Sequence, residues 1–105
     1  MKIVTLCEEG IKRAVAAKWL LQFRPEHQVI AVGVKRLHAD TLQMLYDWAD
    51  LIILLDARYA DGIPPEKLLV WDVGPDVFHG GFDPILIQRL KALSAATDPA
   101  IWQRA

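Results

Sequence analysis

Cys7 is the single cysteine of the chain, and Arg13 follows it six positions later in the segment CEEGIKR. A loop of that length can curl its backbone amides, from Glu8 through Gly10, Ile11 and Lys12 to Arg13, around a tetrahedral dianion. The helix that follows points its positive end inward, and the arginine offers a planar fork to two phosphate oxygens. The same field favours a thiolate, the form of cysteine that attacks phosphorus or carbon. Arginine is common enough that this spacing alone is a weak signal, and a free cysteine is often simply a small buried hydrophobe. Its position at the first junction of a strand with a helix is what gives the spacing weight.

That junction belongs to a regular series. Residues 2–7, 29–34, 51–55 and 68–73 are short runs rich in Val, Ile and Leu, the pattern of parallel strands buried on both faces. Between the first two, Ile11, Val15, Trp19 and Phe23 recur every fourth residue with Ala14 on the same side, which predicts a helix buried along that stripe and stopped by Pro25. Asp40 is placed to cap a second helix over residues 41–49 by accepting from the amide of Gln43, with Leu42, Leu45 and Ala49 on its apolar face. Asp83 before Pro84 is an N-cap followed by proline at the first helical position, and Leu86, Leu90 and Leu93 carry a third helix onward. Residues 57–67 form an irregular link. Alternating strands and helices predict one α/β domain over residues 1–105, a small open four-stranded parallel sheet with helices on both faces. In the strand order 2-1-3-4 the topological switch lies between the first and third strands, and ligands bind beyond their carboxyl ends. Cys7, Asp56 and Asp72 all fall at that rim.

Composition limits the function classes. The charges balance, 12 Lys+Arg against 13 Asp+Glu, which argues against nucleic acid or an anionic membrane as partner. The longest unbroken apolar run, Leu51 to Leu55, is far short of the ~20 residues of a membrane span. One cysteine makes no internal disulfide, and the short apolar start has no signal-peptide cleavage pattern, so a cytoplasmic protein is expected.

Three segments together resemble the low-molecular-weight protein tyrosine phosphatase family in a short, divergent form. KIVTLCEEGIKRA is similar to the first strand and phosphate loop, LYDWADLIILLD to the helix, strand and terminal aspartate, and DVGPDVFHGGFD to the general-acid loop. The resemblance implies a phosphotyrosine phosphatase I-like fold, with Cys7 as nucleophile, Arg13 as phosphate clamp, Asp76 as general acid and Phe78 at the aromatic position after it. It implies hydrolysis of phosphotyrosine or a similar phosphate monoester through phosphocysteine, with no metal or organic cofactor. A phosphorylated protein or small monoester would be the partner. On residue type alone, Asp76 after Gly74 and Pro75 serves equally as a turn residue. Asp72 is the competing acid.

The loop departs from the family pattern. Glu9 and Gly10 stand where the family has glycine and asparagine, Ala14 stands where a Ser or Thr hydroxyl follows the arginine, and Lys12 stands where a second cysteine is frequent. A missing hydroxyl removes a donor worth roughly 1 to 3 kcal/mol, so slow turnover is allowed for. Glu8 and Glu9 are solvated if they project outward, as side chains around such a loop mostly do; one turned inward repels phosphate, and of the two that would be Glu9, which stands where the family has glycine. Trp19, Trp48, Trp71 and Trp102 read first as packing residues, with Trp48 a minor candidate for the pocket edge. His27 and His38 read as solvated, His79 as an exposed loop residue with some reach toward substrate, and Asp56 as a group that orients the loop or caps the next turn. No pair has metal-ligand spacing. Two other readings compete: a degenerate module that binds a phosphorylated ligand without hydrolysis, favoured by Glu8, Glu9 and Ala14, and a IIB-type phosphocysteine carrier, opposed by Arg13 and Asp76.

Overall fold

The structure, a computed structural model, describes residues 1–97 and 99–102, the last as backbone only. The side chain of Trp102, expected to be packed, lies outside the described residues. Four strands, β1 (Lys2–Cys7), β2 (Gln28–Gly33), β3 (Leu51–Leu54) and β4 (Leu68–Val70), form one parallel sheet in the order β2-β1-β3-β4. The helices are α1 (Arg13–Leu21), α2 (Ala39–Trp48), α3 (Pro84–Ala96) and a final turn α4 (Pro99–Trp102). The expected α/β architecture and strand order are therefore those of the chain.

The apolar runs are continuous because both faces of the sheet are covered. Ile3, Leu51, Ile53 and Leu55 pack toward α1 and α3, while Val4, Leu6, Ile52 and Leu54 pack toward α2. Alternation along each strand thus divides one apolar run between two cores. Thr5 breaks the pattern on the α1 face, where its buried hydroxyl donates to the carbonyl of Ala14 at 2.8 Å. Asp83 caps α3 as expected, accepting from the amide of Ile85 at 2.9 Å.

Several local expectations are corrected. The buried side of α1 is Ala14, Ala16, Ala17 and Leu21, whereas Ile11 and Phe23 are 59% and 68% exposed. Small residues let the helix lie close against the sheet, and the bulky stripe is displaced to the margin, where Trp19 meets Phe23 and Phe82 edge-to-face. Asp40 lies in the first turn of α2 rather than capping it, since the helix already begins at Ala39. The ladder of β4 ends at Val70, although the amide of Trp71 still donates to Leu54. His27 is buried, and desolvation holds its pKa below the ordinary value. No described helix is long and apolar enough to cross a membrane.

Candidate functional site

Strand order brings the ends of β1 and β3 side by side at the carboxyl edge, and the chain turns there from Cys7 into α1. The register pairs Cys7 with Gly33 of β2, so the loop after β1 runs beside the turn after β2. Contact between them is backbone to backbone. Gly10 has φ +74, and a Cβ on it would lie 2.4 Å from the amide nitrogen of Gly33; a Cβ on Gly33 would lie 2.3 Å from the carbonyl carbon of Glu9. Only glycine fits at either place. Seated this way, the Gly10 N–H donates to Cys7 Sγ at 3.1 Å, and the cysteine is 2% exposed. The thiol is thus both part of the α1-side core and the acceptor of a loop amide.

Arg13 opens α1, and its side chain is buried. Nη1 donates to Asp56 Oδ2 and to the carbonyl of Gly74, each at 3.2 Å, and Nε is buried with no hydrogen-bond partner among the described residues. Among the described residues no hydrogen bond leaves the Nε–Nη2 edge. That edge is the planar fork with which arginine grips two oxygens of a carboxylate or phosphate. An unpaired buried donor on a guanidinium is costly unless an acceptor completes it.

Asp56 fixes the other side of that guanidinium. It lies two residues beyond β3 and caps the short turn at residues 57–59, accepting from the Arg58 amide at 3.1 Å and from Arg58 Nη2 at 2.7 Å. The Arg58 bonds, and then Arg13, outweigh the opposing effect of burial and lower its pKa to about 2. Asp56 therefore caps the next turn, one of the two alternatives expected of it, and also accepts from the buried Arg13 guanidinium. A cleft of about 380 Å³ lies beside this pair, lined by Asp56, Ala57, Arg58, Asp72, Gly74 and Pro75. A larger cavity, about 510 Å³, lies away from the loop near the ends of α1 and α3, among residues such as Leu20, Lys91 and Thr97.

Both glutamates are engaged by cations. Glu8 pairs with Lys35 Nζ at 2.7 Å, accepts from the Tyr59 hydroxyl at 2.9 Å and lies 3.6 Å from Arg58 Nη2. Lys35 first, then Tyr59, lower its pKa. Glu9 pairs with Arg36 at 2.6 Å. The strand order carried the signal for these partners, because Lys35 and Arg36 follow β2 much as Glu8 and Glu9 follow β1.

The segment from Asp72 to Asp83 closes the rim. Asp72 accepts from the Gly74 amide at 2.9 Å, an Asx turn on an exposed residue. Asp76 faces the loop, 3.6 Å from Lys12 Nζ. Phe78 is buried beneath the Arg89 guanidinium, 5.6 Å from the ring centre, so its ring is core rather than pocket wall. His79 is exposed and its amide donates to Asp83 at 3.0 Å. Trp48 does not edge the site. It ends α2 with the Lys2 ammonium 5.9 Å from its ring, and Lys2 begins β1, so the indole lies at the opposite edge of the sheet from Cys7. The structure thus gathers Cys7, Arg13, Asp56 and Asp76 at one rim and excludes Trp48. Among the described residues no group of three His, Cys, Asp or Glu side chains could hold a metal ion. No family model, curated protein or solved structure matches this chain.

Proposed function

We propose that the chain is a cysteine-dependent phosphatase that hydrolyses phosphotyrosine or a similar phosphate monoester, as its resemblance to the low-molecular-weight tyrosine phosphatases implies, with slow turnover allowed for by the missing hydroxyl at Ala14. The observation that carries the reading is the loop itself: an amide aimed at the Cys7 sulfur, closed by a buried arginine whose Nε has no hydrogen-bond partner among the described residues. Two phosphate oxygens would meet the open edge of Arg13, with Asp56 holding the guanidinium from behind. The Cys7 thiolate attacks phosphorus, forming an S–P bond as the bond to the leaving oxygen breaks. Asp76 gives its proton to that oxygen. The resulting carboxylate then takes a proton from water, whose oxygen attacks phosphorus, breaks the S–P bond and returns the thiolate. A phosphorylated protein or a small monoester is the partner proposed, and the cytoplasm the compartment.

Ala14 favours a second reading, a phosphate-binding module without turnover. The helix offers no hydroxyl at that place to assist the departing sulfur, and Ala14 is packed into the core. One experiment separates the two. Purified protein is given para-nitrophenyl phosphate without metal, and acid-quenched samples are weighed for a phosphoryl adduct. Hydrolysis lost in Cys7→Ser, with the adduct trapped in Asp76→Asn, is the expected result. Turnover unchanged in Cys7→Ser would rule out the covalent mechanism, and vanadate binding without any turnover would leave the module.

A further inference from the structure

Two adjacent glutamates beside a loop built for an anion need an explanation, and the proposed reaction supplies none. We propose that Glu8 and Glu9 are positioning residues whose carboxylates, gripped by Lys35, Arg36, Arg58 and Tyr59, latch the Cys7–Arg13 loop closed over the thiol. The value of a closed loop to turnover rests on the phosphatase reading; the existence of the latch does not.

The latch has a backbone part and a charged part. The Lys35 N–H donates to the carbonyl of Glu8 at 3.0 Å, and the Gly10–Gly33 contact admits no side chain between loop and turn. These contacts fix where the loop touches β2. The charged part fixes which way it faces. With Glu8 drawn to Lys35 and Tyr59 and Glu9 drawn to Arg36, both carboxylates are committed to the neighbouring segments, and the Gly10 amide faces sulfur. Arg58 joins the two ends, since it binds Asp56, which holds Arg13, and also approaches Glu8. A chain of charges therefore runs from the first loop residue after the thiol to the arginine that ends the loop.

A single exposed ion pair is weak. Glu8, however, is 24% exposed in its side chain and has three partners on two different segments, so its bonds reinforce one another. Among the described residues Glu9 has one salt-bridge partner, Arg36, and is the lesser half.

Cys7 is the only thiol of the chain, so intact mass after iodoacetamide reports its accessibility directly. Lys35→Met is the decisive variant. Removing a cation near a thiolate would by itself slow alkylation, whereas releasing the latch exposes a buried sulfur and speeds it. We expect roughly three- to tenfold faster alkylation in Lys35→Met and in Glu8→Ala. A smaller rise is expected in Glu9→Gln, and rates within about twofold of the parent in Lys35→Arg, which restores the cation. High salt should speed alkylation of the unaltered protein, a measurement that holds even where a variant fails to fold. In para-nitrophenyl phosphate assays Lys35→Met should raise KM more than it lowers kcat. Alkylation of Lys35→Met at or below the parent rate, or an unaltered protein indifferent to salt, overturns the latch. Absence of hydrolysis in every protein overturns the phosphatase reading and leaves the alkylation result standing.

Discussion

Replacing Asp56 by Asn keeps the shape of the side chain and removes the charge that Arg13 and Arg58 share. Both oxygens are in use: Oδ1 accepts from the Arg58 amide and Nε, while Oδ2 accepts from Arg13 Nη1 and Arg58 Nη2. An amide has one acceptor, so whichever way it turns its NH2 group faces an arginine donor. The cost has two parts. A carboxyl lowered from 3.8 to about 2 carries at most about 2 kcal/mol of charge-dependent stability. The largest share comes from Arg58, which is 67% exposed and screened, so about 1 to 2 kcal/mol is expected. The misplaced donor in a buried site adds about 1 kcal/mol. Near neutral pH, urea unfolding followed by the buried Trp71 should therefore show Asp56→Asn less stable by about 2 to 3 kcal/mol. The sign of the pH effect follows from the lowered pKa: the charged part is present above the unfolded value and is lost as pH falls through the folded one. The gap between the two proteins should thus narrow as pH falls from about 4 to about 2. A gap that stays constant over that range, or one below about 0.5 kcal/mol at neutral pH, refutes the view that Asp56 anchors Arg13 through its charge.

Other substitutions test separate parts of the site. Asp76→Asn should slow esters with poor leaving groups more than para-nitrophenyl phosphate, and a larger defect in Asp72→Asn would transfer the acid role. Gly10→Ala should cost about 2 to 4 kcal/mol by urea unfolding, since it adds a clash to the strain of positive φ, whereas Gly62→Ala, at φ +83 in open space, should cost about 1. Equal losses at the two glycines would mean that the loop gives way at Gly33. Thr5→Val should lose about 1 kcal/mol with its bond to Ala14, and a neutral result would show that the helix turn satisfies that carbonyl alone.

Much of the architecture was legible in the linear order of residues. Strands covered on both sides must be apolar throughout, so residues 2–7 and 51–55 announced themselves, and alternation with helices left few topologies. The Asp83–Pro84 cap was equally plain, because a cap is a bond between residues two or three apart. Cys7 and Arg13 could be singled out for the same reason, as close neighbours in the chain. The fourfold stripe Ile11, Val15, Trp19 and Phe23 is just as regular, yet it is not the buried face; periodicity marks a helix, and the closeness of the sheet decides which side it accepts. The remaining features depended on partners distant in sequence. Arg13 meets Asp56 across 43 residues and Gly74 across 61, and Glu8 meets Tyr59 across 51. The ion pairs of Glu8 and Glu9, the burial of Phe78 and the removal of Trp48 to the far edge were settled only when the sheet set those segments side by side. A charged side chain takes its direction from the nearest opposite charge, and in this chain the tertiary fold supplies that neighbour.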